Sequence, residues 1–379
     1  MLRKLLSLSV VFSVFFNAYA GLPEYEIITS DVPSSEYGTI TRMSVKSGSL
    51  EGNVTIDVWT PSEYDISSEK RYPVIYAYDG QNLFDVAFSF AGVPWALDRA
   101  CLQLASDDDF SMPIIVGINN RGSEGLRPSD YFPENALQYI PPQLKDKTAI
   151  FQTCNDIFLG NEEAAFVAIE LKPLIDNLYN TAPGMSTTFA MGSSMGALAS
   201  MYLLCEYPGI FGGAACMSTH WIGSLDLNPD FSMNDDEICA NAILEYLNNN
   251  IPDDGMHRLY LDQGTDGWDA GYWKYEVTAR EIVRDRGYTE ETGHLYTYDA
   301  EGAGHNEWFW QQRVKIPLKF LLSKKAIEES GLQDIVPDSV PVISEQIIFD
   351  LYGRRYPDPS INSLPPGIYI RNGESLFLR

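Results

Sequence analysis

The sequence predicts an α/β chain built on a mainly parallel, doubly wound sheet, and three observations carry that expectation. Short apolar runs of strand length recur between residues 54 and 300. Amphipathic helical patterns lie between several of them. The strands close on turn residues such as Asp-Gly and Asn-Asn.

The elements follow in order. "VTIDVWT" (54–60) alternates apolar and polar residues with period two, as a half-buried strand does. "YPVIYAYDG" (72–80), "MPIIVGINN" (112–120), "STTFAMG" (186–192), "FGGAACMST" (211–219), "HRLYLDQG" (257–264) and "HLYTYDA" (294–300) read as six further strands. Helical patterns cover 162–179, 195–206, 272–286 and 308–323. In such a sheet the chemistry belongs at the carboxyl ends of the strands, which filters the motifs below. Around Lys325 the helices are expected to stop, and Pro, Gly and short alternating strands take over to the end. The expected division is an export segment at 1–20, a main α/β domain at 21–326, and a linker with a β-rich segment at 327–379.

Composition bounds the partners. The chain has 379 residues, 45% of them hydrophobic, enough to bury a large core. Its 52 acidic and 26 basic residues give a formal charge of -26, which repels phosphate and excludes nucleic acid as an expected partner. Arg3 and Lys4 precede the apolar run "LLSLSVVFSVFF" and the small-x-small site at Ala18, Tyr19 and Ala20. This is the pattern of a cleaved export signal, so the mature chain is expected to start near Gly21 and to act outside the cytoplasm. No transmembrane segment is expected elsewhere. Five cysteines at irregular spacing leave at least one unpaired. Cys205 and Cys216 read as core residues, and the others leave room for one disulfide. Four histidines, none at ligand spacing to a cysteine, give no zinc pattern.

The stretch "FAMGSSMGALASMYLL" (189–204) fits G-x-S-x-G in one frame, Gly192 to Gly196, with Ser194 at its centre. A strand precedes it and a helix follows, the context of a nucleophile held on a sharp turn. A serine hydroxyl needs a base, and His305 lies in the Gly-rich "EGAGHNEWFW" after the seventh strand. His294 opens that strand and reads as structural. The acid that orients the base is expected after the sixth strand, in "LYLDQGTDGWDAGYWKY". Asp262 is still within the strand pattern. Asp266 and Asp269 both fall in the expected loop, and spacing does not choose between them. An oxyanion needs two backbone N–H donors: Met195 after the serine, and Gly80 or Gln81 after the strand ending in Asp79.

Taken together, "VIYAYDGQNLFD", "FAGVPWALD", "IIVGINNRGSEGLRPSDYFP", "GSSMGALAS", "STHW" and "GAGHNEWFW" resemble, over about residues 35–325, an esterase family of the α/β-hydrolases. Its members include feruloyl and acetyl xylan esterases, esterase D, enterochelin esterases and mycolyltransferases. The resemblance implies Ser194 as nucleophile, His305 as base, and Gln81 with Met195 as the oxyanion donors. It favours Asp269 over Asp266 as the acid, because "DAGY" resembles branches reading "TLDA" before a tyrosine. The chain departs from several members at Gly267, where they carry the acid itself. His220 of "STHW", Trp95, Arg121 and Tyr131 are candidate pocket walls. His220 reads first as a hydrogen-bonded structural residue and second as a pocket wall. The implied activity is cofactor-free hydrolysis of a carboxylic ester, small or polysaccharide-linked, with an acyl or feruloyl ester of plant polysaccharide expected. A siderophore esterase, an acyltransferase and a non-catalytic binding protein of the same fold are the alternatives. The C-terminal "IFDLYGRRYPDP" and "LPPGIYIRNGESLFLR" are similar to the sorting segments of type IX secretion cargo.

Overall fold

The structure, a computed structural model, describes residues 22–333 together with 348–350, 355–356, 367–371 and 374–378. The expected export signal at 1–20 lies outside the described residues. Nine strands form one sheet: β1 (Tyr25–Ile28), β2 (Thr39–Ser47), β3 (Gly52–Thr60), β4 (Val74–Tyr78), β5 (Ile114–Ile118), β6 (Thr188–Ser193), β7 (Gly213–Met217), β8 (Arg258–Gly264) and β9 (Leu295–Ala300). Their spatial order is β1-β2-β3-β5-β4-β6-β7-β8-β9. The first three strands pair antiparallel and β3 pairs antiparallel with β5; from β5 through β9 the sheet is parallel. The seven expected strands are all present, and β1 and β2 add an antiparallel edge.

Alternation along each strand builds two cores. Tyr76, Val116, Ala190, Cys216 and Leu261 face one side with residues of the helices Met195–Glu206 and Glu237–Asn250. Ile75, Ile115, Phe189, Met191, Ala215 and Tyr260 face the other, against the helices Leu97–Leu104 and Lys315–Leu321. That is the doubly wound arrangement: a strand covered on both faces must be apolar at every position, and β4, β5, β6 and β7 are buried throughout. The helix Met195–Glu206 is itself buried on nearly every side, which suits its unbroken apolar sequence.

The order places a topological switch at β4. The chain leaves β4 for β5 on one side and returns to β6 on the other. The crevice at the carboxyl ends of β4 and β6 is therefore where a ligand fits in this architecture.

Several expectations change. The helix expected at 272–286 begins at Gly267 and runs to Asp285, which moves Asp269 from a loop onto a helix. The helix expected at 308–323 divides at Val314 into Glu307–Arg313 and Lys315–Leu321. Pro317 has no N–H to give the Arg313 carbonyl, so the ladder cannot run through. A further helix, Lys324–Gln333, extends past the change of pattern expected near Lys325. All five cysteines are free and buried, so the disulfide allowed by the sequence is absent. In the C-terminal stretch β10 (Ile348–Asp350), β11 (Arg355–Tyr356), β12 (Gly367–Arg371) and β13 (Glu374–Leu378) form a separate antiparallel sheet of order β11-β10-β12-β13. Among the described residues no helix is long and apolar enough to cross a membrane.

Candidate active site

Ser194 stands at the turn from β6 into the helix Met195–Glu206, with φ 56° and ψ -125°. Such a backbone is strained for a residue with a Cβ, and hydrogen bonds hold it in place. Ser194 N–H donates to the Met217 carbonyl at 2.9 Å, and the Ser194 carbonyl accepts from His220 N–H at 3.2 Å. The turn is tight enough that a Cβ on Gly192 would lie 2.2 Å from the Gly196 carbonyl oxygen. The two adjacent serines separate by exposure: Ser193 is buried, whereas Ser194 keeps part of its surface open.

Two loops bring partners to Ser194. His305, between β9 and the helix Glu307–Arg313, places Nε2 2.7 Å from Ser194 Oγ. Its Nδ1 lies 2.5 Å from Asp269 Oδ1. Asp269 sits in the first turn of the helix after β8 and is fully buried. Burial alone would raise its pKa. The His305 ring, the Ser218 hydroxyl (2.5 Å) and the Gly264 N–H (2.8 Å) outweigh that and hold it below the ordinary carboxylate value. An ionised carboxylate only accepts, so Nδ1 carries the imidazole proton and Nε2 is left to accept from the Ser194 hydroxyl. Aromatic rings clamp the imidazole: Trp310 and Tyr272 meet it edge-on at 5.1 and 5.6 Å, and Trp268 lies at 5.6 Å.

The loop after β4 lies against the first turn of the serine's helix. A Cβ on Gly196 would come 3.1 Å from Tyr78 Cβ and 3.2 Å from Asp79 Oδ2. Asp79 takes a left-handed conformation and is tied down by Arg127, two bonds of 2.7 Å, and by Asn120 Nδ2 at 2.5 Å. Its own N–H donates to the Tyr131 hydroxyl at 3.1 Å. Gln81 follows in a short 3₁₀ turn, its side chain accepting from Asn120 N–H at 3.2 Å. Gln81 and Met195 both stand in the first turn of a helical segment, where backbone N–H groups have no acceptor within the helix. The arrangement provides a partly exposed hydroxyl, an imidazole whose Nε2 can accept from it, a buried anion behind that ring, and two candidate N–H donors from the segments that follow the adjacent parallel strands β4 and β6.

The remaining sequence candidates stand elsewhere. Asp266 is the exposed N-cap of the helix and accepts from Gly267 N–H at 2.8 Å, while His305 Nδ1 is taken by Asp269. Asp262 is buried in an ion pair with Arg313. His220 is fully buried; its Nε2 donates to the Ser224 carbonyl and its Nδ1 accepts from the Tyr272 hydroxyl, each at 2.8 Å. Burial brings its pKa down to about 3, so it is a neutral structural imidazole. Trp95 is fully buried against Trp310 at 6.0 Å and backs the wall. Arg121 is engaged by both oxygens of Asp130. Tyr131 is buried with its ring on Tyr78. Ser218, Trp310 and Arg313 surround Asp269 and His305; Ser218 opens "STHW" and Trp310 closes "GAGHNEWFW", but nothing in either stretch marked them as partners of the acid, and Arg313 lies outside every motif. Beside Trp268 and Tyr272 lies a cavity of about 420 Å³, also lined by Ile222, Phe231, Met233 and Asp235.

Comparison with known proteins agrees with this architecture. Residues 47–318 match the family model described as "Putative esterase". A protein of Bacillus subtilis (strain 168), "Uncharacterized protein YjcH", is 26% identical over 184 residues, 48% of this chain and 62% of that relative's length. The fold is similar to that of a ferulic acid esterase, with TM-score 0.52 and 16% identity, covering 76% of this chain and 98% of the other. It is also similar to an IroE-like serine hydrolase of Shewanella oneidensis (TM-score 0.51, 17% identity, 75% and 80% covered). The enterobactin esterase of Shigella flexneri gives TM-score 0.50 at 15% identity, with 77% and 60% covered. The match over most of the main domain, on a mainly parallel sheet with the tight Ser194 turn after β6, assigns the chain to this family: it belongs to the esterases of α/β-hydrolase fold.

Proposed function

We propose that the protein is an exported serine esterase. Ser194 Oγ attacks the ester carbonyl while His305 Nε2 takes its proton, and Asp269 stabilises the imidazolium that results. The Met195 and Gln81 N–H groups hold the tetrahedral oxyanion. Its collapse expels the alcohol, which takes the proton from His305 and leaves Ser194 acylated. Water then attacks the acyl group, giving its proton to His305; collapse releases the acid and returns that proton to Ser194. The observation that carries this reading is the unbroken hydrogen-bond chain from Ser194 through His305 to Asp269.

The substrate in this reading is an acyl or feruloyl ester on plant polysaccharide. The cavity bounded by Phe231, Trp268 and Met233 is of a size and apolarity that suit an aromatic acyl group. The acidic chain, with Asp230 and Asp235 on that cavity, favours a neutral ester over a polyanionic ferric catecholate. Export through the segment ending near Ala20, and routing by the C-terminal segment, belong to the same proposal. The test is turnover of methyl ferulate, acetylated xylan, p-nitrophenyl acetate and a catecholate trilactone by wild type and Ser194→Ala. The variant should lose at least about 10⁴-fold in turnover and all fluorophosphonate labelling. Equal activity of the two proteins on every ester would sink the mechanism, and preferred hydrolysis of the trilactone would reassign the substrate.

A further inference from the structure

The hydroxyl of Ser218 joins two buried polar systems. Its Oγ lies 2.5 Å from Asp269 Oδ2, 2.6 Å from Arg313 Nη2 and 3.0 Å from Trp310 Nε1. The guanidinium and the indole can only donate, so they occupy both acceptor positions of the hydroxyl. Its single proton is left for Asp269, the one acceptor of the three. Arg313 also grips Asp262 through Nε at 2.9 Å and Nη2 at 3.0 Å. Asp262 Oδ1 in turn accepts from the Ser218 N–H at 2.9 Å. Ser218, Asp262 and Asp269 are fully buried, and Arg313 nearly so. Ser218 holds this place with φ 43°, a conformation glycine adopts freely and serine does not.

We propose that Ser218 is a positioning residue: its hydroxyl couples the Arg313–Asp262 ion pair to Asp269 and fixes the carboxylate with Oδ1 on His305. This rests on the Ser194–His305–Asp269 mechanism above. Oδ2 is held by Ser218 and by Gly264 N–H, so turning the carboxylate away from His305 breaks two bonds; without the hydroxyl it breaks one.

The test compares Ser218→Ala with Ser218→Gly in the full chain. Both lack the hydroxyl, but glycine relieves the backbone strain and keeps a folded protein to measure. Active sites are counted by fluorophosphonate titration. In both variants kcat per labelled site should fall about 10- to 100-fold with KM within about two-fold. A wild-type kcat per labelled site in Ser218→Gly, or a loss carried by KM with kcat unchanged, overturns the proposal. Failure of the underlying mechanism reads out separately, as full activity in Ser194→Ala.

Discussion

Replacing Asp269 by asparagine tests the site most sharply, because the structure fixes how the amide must sit. Three donors converge on the carboxylate: His305 Nδ1–H on Oδ1, and Ser218 Oγ–H and Gly264 N–H on Oδ2. An asparagine has one acceptor oxygen and one NH₂ in their place. If the oxygen faces His305, the NH₂ points at the Gly264 N–H, a backbone donor that cannot turn away. If the oxygen takes the Gly264 side, the NH₂ faces Nδ1, which must then accept, and the ring proton moves to Nε2. The second arrangement satisfies more bonds, and in it His305 cannot take the Ser194 proton. The expected loss in kcat is about 10⁴-fold, about 5 kcal/mol of transition-state stabilisation. Asp266→Asn is the control: it is exposed, and asparagine caps a helix as well as aspartate, so kcat should stay within about two-fold. The assay is steady-state hydrolysis of p-nitrophenyl acetate, with folding checked by circular dichroism. A folded Asp269→Asn keeping more than about a tenth of wild-type kcat, or an Asp266→Asn loss of equal size, would refute the assignment.

Two further outcomes are expected. Gly192→Ala places a methyl group 2.2 Å from the Gly196 oxygen and 2.3 Å from its carbon, both backbone, so the turn must distort. Fluorophosphonate labelling of Ser194 per folded molecule should drop sharply, and wild-type labelling would show that the turn tolerates the methyl. His220, with its folded pKa near 3, stays neutral where the unfolded chain takes up a proton, below an ordinary histidine pKa of about 6.5. Its burial therefore costs stability as pH falls from 6.5 toward 3, by about 1.4 kcal/mol per pH unit over most of that range. Urea unfolding at pH 6.5 and 5 should show wild type losing about 1 to 2 kcal/mol more than His220→Gln, and parallel losses would contradict the assignment.

What could be read from the sequence was whatever depends on neighbours along the chain. β4, β5, β6 and β7 were legible because strands buried on both faces admit apolar residues at nearly every position, and β3 because apolar and polar residues alternate along it. β2 escaped because it lies toward the antiparallel edge, where "TITRMSVKS" is only partly buried and carries a weaker pattern. Ser194 was legible because its turn demands glycine at fixed offsets, and His305 because a Gly-rich loop after the last strand marks a strand end. The choice of acid was not. Asp266 and Asp269 are three residues apart, and their difference is whether the helix begins before or after them. Capping by Asp266 starts the helix at Gly267 and turns Asp269 inward, onto Gly264, Ser218 and His305.

The fold class and the candidate nucleophile and base, Ser194 and His305, could be read from the chain alone, since local sterics and hydrophobic periodicity act over a few residues. Only the packed fold places Asp269 and not Asp266 on His305, buries His220 and Trp95, pairs Arg121 with Asp130, and sets Ser218 and Arg313 behind Asp269. Ser218 follows β7, Asp262 lies on β8, and Asp269 and Arg313 stand on two different helices; only the packing around the sheet brings their polar atoms within 3 Å of one another. A buried charge must find its partners in space, whatever their separation along the chain.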